Sequence, residues 1–324
     1  MTFIALEEHY FSRKLHARVG DGRDLFPGFS DQLAEVDEQR VALMDAAGID
    51  IQVLSVPSHQ IQEAEPSLSV ELARDANDEL AAVVIGKPER FRAFATLPLS
   101  DVEASVAELR RRVLELGFLG PMLWGQSNGH FLDEAQYEPL WAAIEELDVP
   151  VYLHPAEPPA AVSAAYRSGI EPWIGNALER GAWGWHAEMG MHVLRLAASG
   201  TLERHRGVQV IVGHMGEDLP FTLERANHSI ERIRARTSTA ARQSRTVMET
   251  VLDQVAITTS GYPYKAPFEC ALSVFGADRI LFSVDYPFSD NLEAAQAITN
   301  ASISENDREK IASGNARRIL KLTR

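Results

Sequence analysis

Five side chains able to hold a cation stand where short apolar runs end. Glu7 and His9 follow residues 3–6, His154 follows 151–153, His214 follows 208–212, and Asp285 follows 280–284. If those runs are strands, positions two apart point the same way, so Glu7 and His9 share a face. Imidazoles and carboxylates without a nearby thiol suit Zn²⁺ or Mn²⁺, which accept nitrogen and oxygen together. Glu7, His9, His154 and Asp285 would tie such an ion down and leave positions open for water or substrate. His214 is then either a fifth ligand or a free acid/base, since imidazole titrates near neutrality. Glu217, expected in the first turn of a following helix, either orients that imidazole or simply faces a helix N-terminus. Any one of these residues alone would more often be a hydrogen-bonded or capping group, so the joint placement carries the reading. Of the ten histidines, His16, His59, His130, His186 and His205 read as ordinary surface or packing residues.

The scaffold that must gather these donors is legible as an alternation. Apolar runs rich in β-branched residues fall at 3–6, 51–56, 91–97, 119–123, 151–153, 208–212, 255–259 and 280–284. Each has the length and two-sided apolarity of a buried parallel strand. Segments with helical spacing lie between most of them, at 31–47, 66–85, 102–116, 135–147 and 189–198. Gly48, Gly86, Gly117 and Gly200 sit where a helix hands over. Eight strands separated mostly by helices predict a single-domain (β/α)8 TIM barrel over residues 1–324, with closing helices after the last strand. A doubly wound open sheet is the competitor, but its usual Gly-rich turn is replaced here by Glu7-Glu8-His9. In a barrel the donors all lie at the C-terminal ends of strands, the face that carries catalysis. The stretch 156–165 reads as a Pro/Ala loop.

Composition narrows the partners. The net charge of −15 over 324 residues repels phosphates, which counts against nucleic acid and anionic membrane surfaces. One cysteine, Cys270, permits no intrachain disulfide and fits a reducing cytosol. The first residues lack the basic and apolar regions of an export signal, and no apolar run is long enough to span a bilayer. A cytoplasmic enzyme is expected.

The motifs Ala5-Leu-Glu-Glu-His9, Tyr152-Leu-His-Pro155, Gly213-His-Met-Gly-Glu217 and Phe282-Ser-Val-Asp-Tyr-Pro-Phe288 resemble the decarboxylase branch of the amidohydrolase superfamily. That branch includes the aminocarboxymuconate-semialdehyde, γ-resorcylate and 2,3-dihydroxybenzoate decarboxylases. The likeness runs on through Gly276-Ala-Asp-Arg-Ile280 and Gly314-Asn-Ala316. It implies a TIM barrel holding one divalent ion, Zn²⁺ or Mn²⁺, in a homodimer or homotetramer. Position by position, Glu7, His9, His154 and Asp285 match the metal ligands, and His214 matches the catalytic histidine with Glu217 beside it. Arg225 matches an arginine near the substrate. The implied reaction is non-oxidative loss of CO₂ from a hydroxylated aromatic, or related unsaturated, carboxylic acid, with Asp285 or His214 delivering a proton to the ring. Trp183 and Trp185 are placed either to wall a flat substrate or to pack a helix on the barrel. A metal-dependent hydrolase, an amidase or lactonase, is the alternative, because an open metal position serves either chemistry. Glu-x-His in place of His-x-His, and no lysine near strand four for a second metal, lean toward the lyase. An inactive scaffold is a third reading, opposed by the intact donor set.

Overall fold

Eight short strands form in chain order: β1 (Phe3–His9), β2 (Ile49–Ser55), β3 (Phe91–Ala93), β4 (Met122–Trp124), β5 (Val151–His154), β6 (Val210–Val212), β7 (Val255–Thr258) and β8 (Ile280–Leu281). The structure is a computed structural model that describes residues 1–19, 28–237 and 243–322. Parallel ladders join β1 to β3 and β4 to β8 in order. Two single bridges close the gaps, Ala95 with Pro121 and Glu8 with Tyr286. At the second, the His9 N–H donates to the Tyr286 carbonyl at 2.8 Å. The result is a closed (β/α)8 barrel.

Strand alternation separates two cores. Ile4, Leu6, Val53, Phe94, Met122, Ile211, Ala256 and Leu281 pack together as the barrel interior. Their chain neighbours Ala5, Leu54, Leu123, Val212 and Ile257 pack outward into the larger core under the helices. At the far end of the chain, Ala316, Ile319 and Leu320 join the interior cluster. The Asn315 side chain donates to the carbonyls of Ala277 and Ile280, both at 2.7 Å. The expected closing helices are present, Glu305–Glu309 and Asn315–Ile319. Among the described residues no helix is long and apolar enough to cross a membrane.

Three local expectations change. The segment 31–47 is two helices, Ser30–Ala34 and Glu38–Ala47, because the Glu35 carboxylate turns back to accept from the N–H groups of Asp37 and Gln39. The Pro/Ala stretch is a loop only to Pro159, after which the good helix formers of Ala160–Arg167 coil. Glu217 lies before a helix rather than in it: His214–Gly216 make a tight turn, and the helix Leu219–Arg234 starts afterwards.

Candidate metal centre and active site

The first strand delivers two donors by breaking its own parity. Ile4 and Leu6 face the barrel interior, so strict alternation would point Glu8, not Glu7, into the mouth. Between Ala5 and Glu8 the register against β2 slips, with Ala5 opposite Gln52 and Glu8 opposite Leu54. That bulge inserts one extra residue and re-aims the chain. Glu7 and His9 then face the site, and Glu8 faces outward, accepting from the Val284 N–H at 2.9 Å and from Gln52 Nε2 at 3.3 Å. Burial pushes the Glu8 carboxyl up to about 8 against the pull of the Val284 N–H and Arg40.

Glu7 is fully buried and half satisfied. Its Oε2 accepts from Ser260 Oγ at 2.6 Å and from the Tyr152 hydroxyl. Among the described residues its Oε1 has no hydrogen-bond donor, and it faces His154 Nε2 at 3.0 Å and His214 Nε2 at 3.7 Å. His9 is arranged the same way: Nδ1 meets Ser55 Oγ at 3.1 Å, while the buried Nε2 makes no hydrogen bond among the described residues and lies 3.2 Å from Asp285 Oδ1. His154 Nδ1 is spent on the Pro155 carbonyl at 2.7 Å, and its ring stacks on Trp124 at 3.6 Å. Each imidazole thus has one nitrogen committed to the protein and the other turned toward the same point, as in a metal site. Glu7, His154, His214 and Asp285 each offer a ligand atom within 4.8 Å of the others, a set suited to one ion. His9 stands just outside that tight group, and His214 stands inside it.

Burial raises the Glu7 carboxyl, but the charges of His214, His154 and His9 outweigh it and hold Glu7 well below the usual carboxylate range. Asp285 is likewise raised by burial and brought below its ordinary value by His214 and His9. Burial lowers His9. It would lower His214 too, but the Glu217 and Glu7 carboxylates raise that imidazole well above its ordinary value. The Glu217 contact is direct, 2.6 Å from its Oε1 to His214 Nδ1. With Nδ1 so engaged, His214 Nε2 points into the site, 3.6 Å from Asp285 Oδ2.

Above these groups opens a cavity of about 390 Å³ whose walls include Trp124, Trp185 and Phe288, with Glu157 and Arg180 paired at its edge, 3.0 Å apart. Among the described residues the indole N–H groups of Trp124 and Trp185 have no partner. Trp183 and Arg225 do not line the cavity: Trp183 is 56% exposed, and Arg225 is exposed on the helix Leu219–Arg234. Of the histidines read as ordinary, His130 and His205 do pair with nearby carboxylates. His59, in contrast, lines the cavity, and His186 sits against Glu217. Tyr152, Thr258 and Ser260 were also legible in principle, since Tyr152 lies two residues before His154 on one strand face and Thr258 two before Ser260.

Residues 25–322 match the amidohydrolase family. The chain belongs to that family. It is 39% identical to the decarboxylase orsB of Emericella nidulans, over 98% of this chain and 97% of that protein. A crystal structure of 2,6-dihydroxybenzoate decarboxylase complexed with 2,6-dihydroxybenzoate is similar with a TM-score of 0.88 and 36% identity, covering 99% of this chain and 100% of the other. A dihydroxybenzoic acid decarboxylase from Polaromonas sp., with bound manganese and the inhibitor 2-nitroresorcinol, superimposes with a TM-score of 0.90 at 36% identity, over 100% of this chain and 98% of its own.

Proposed function

We propose that this chain is a single-domain, metal-dependent, non-oxidative decarboxylase of a hydroxylated aromatic carboxylic acid. One observation carries the reading: Glu7 Oε1 and His9 Nε2, both buried and, among the described residues, without a hydrogen bond, lie 3.0 Å from His154 Nε2 and 3.2 Å from Asp285 Oδ1, two residues that line an aromatic-walled cavity. Orphaned buried polar atoms are costly unless something binds them. Glu7, His9, His154 and Asp285 are the ligand set we assign, for Mn²⁺ or Zn²⁺. When bound, the ion supplies positive charge against the substrate carboxylate and the neighbouring hydroxyl.

The chain's own residues do the rest. Trp124, Trp185 and Phe288 hold a flat ring and keep water from it. His214, kept protonated by Glu217, carries a proton at Nε2 beside Asp285 Oδ2. Transfer of that proton from His214 or Asp285 to the ring carbon bearing the carboxylate interrupts aromaticity. The bond to the carboxylate then breaks, its electron pair restores the ring, and CO₂ leaves. No oxidant is consumed. Arg225 is proposed as a substrate contact only if a neighbouring subunit brings it to the cavity, since within the chain it is exposed. A cytoplasmic setting fits the lone cysteine.

The test is a panel of hydroxybenzoates incubated with manganese-loaded protein, followed by CO₂ release. Decarboxylation of at least one member is expected, with about one ion bound per chain. Asp285→Asn should lower turnover by about a hundredfold or more. Full activity in that variant, or in protein stripped of divalent ions, would refute the assignment.

A further inference from the structure

His186 takes no part in the chemistry above, yet it is tightly engaged. It is buried in the first turn of the helix Gly184–Ala198. Its Nδ1 lies 2.5 Å from Glu217 Oε2, while the other oxygen of Glu217 meets His214 Nδ1 at 2.6 Å. An ionised carboxylate can only accept, so both imidazoles donate to it. The far nitrogen of His186 is fixed as well, 2.9 Å from the Gly181 carbonyl and 3.2 Å from the Tyr262 hydroxyl. One turn along the same helix, Gly190 comes so close that a Cβ would meet the Glu217 carbonyl oxygen at 2.7 Å. One helix face therefore holds both the side chain and the backbone of Glu217.

Glu217 has reason to need that hold. His214, Met215, Glu217 and Asp218 all have positive φ, at 45°, 57°, 52° and 63°. Residues with side chains resist this region, so the turn keeps its shape only under outside constraint. Resting on the functional reading above, we propose that His186 is a positioning residue, which clamps Glu217 and thereby fixes the His214 ring with Nε2 toward the substrate. A histidine kept for packing alone would be replaceable by another ring of its size.

The experiment compares His186→Phe and His186→Asn with the wild-type protein on a hydroxybenzoate that the wild type decarboxylates. Manganese content and a crystal structure of His186→Phe accompany the kinetics. Phenylalanine keeps the ring and removes the donor, so kcat should fall about tenfold or more with KM within about twofold and metal content unchanged. Asparagine, which carries an N–H where Nδ1 stood, should recover most of kcat. In the crystal structure of His186→Phe, His214 should have turned away from Glu217. A phenylalanine variant with wild-type kcat, a loss of kcat that tracks loss of metal, or an unmoved His214 would each overturn the proposal. Should His186→Phe not fold, Gly190→Ala presses on the same residue and should give the same split, and an unaltered kcat there counts against the clamp. Inactivity of the wild type on every hydroxybenzoate would instead remove the functional reading, leaving the His214 orientation to decide the clamp by itself.

Discussion

His192 shows how differently one residue type is used a few turns from the site. Its Nε2 accepts from the Leu132 N–H at 3.0 Å, which requires a neutral ring, and burial lowers it from 6.5 to about 4. In the unfolded chain the same imidazole takes up its proton as pH falls through 6.5, whereas the folded protein resists until about 4. Its contribution is therefore intact above pH 6.5 and is lost on acidification, at about 1.4 kcal/mol per unit and about 3 kcal/mol in all. Urea midpoints measured between pH 7 and 4.5 should fall more steeply for the wild type than for His192→Leu. Equal slopes would show that His192 is not held neutral. The metal-binding residue types were legible in the sequence because five of them end apolar runs, a coincidence that chance seldom arranges. His186 was not, because a histidine inside a helix carries no mark of what it will face. Ser55, Ser260 and Tyr152 carry a weaker mark: hydroxyls are common in strands, and strand parity alone does not say that Ser55 meets the His9 imidazole while Ser260 and Tyr152 meet the Glu7 carboxylate.

The barrel itself could be read from alternating runs because most strand positions are buried on both faces, while the longer helices between them bury one. What could not be read was the bulge in β1, since nothing in Ala-Leu-Glu-Glu-His distinguishes a regular strand from one carrying an extra residue. The i, i+2 spacing puts Glu7 and His9 on one side of the strand, but which parity faces inward is set by the slip against β2. Strand ends were also overdrawn: the run 280–284 forms only the two-residue β8, and 91–97 only the three-residue β3. The approach of Gly213, just past β6, to the Glu7 side chain is especially close. A Cβ on Gly213 would lie 2.5 Å from Glu7 Oε2 and 3.1 Å from Ser260 Oγ. That carboxylate is pinned from behind, so Gly213→Ala must displace it. We expect this variant to lose manganese affinity by about tenfold or more. Isothermal titration with Mn²⁺ measures it, and an unchanged affinity would mean that Glu7 can retreat without leaving the site.

The molecule as a whole presents an acidic surface interrupted by large apolar side chains. Trp173 is 71% exposed, Trp183 56% and Phe221 86%. Exposed aromatics of this size favour an interface, which supports the homodimer or homotetramer proposed from family resemblance. Light scattering on the purified protein should therefore return a multiple of the 35.8 kDa chain. A monomer at micromolar concentration would contradict it. The exposed Trp183 and Arg225 would then have to be explained without a neighbouring subunit.

The bridge between Glu8 and Tyr286 joins the first strand of the chain to its last turn-and-strand unit. On the ribosome, one margin of β1 must therefore wait, with its backbone donors and acceptors unmatched, until almost the entire polypeptide has emerged. Its natural partner belongs to the last of the barrel's eight strand units to arrive. Any chain cut short upstream of that unit is left with an open strand margin ready to pair with a neighbour, which makes truncated products of this barrel candidates for aggregation rather than for partial folding.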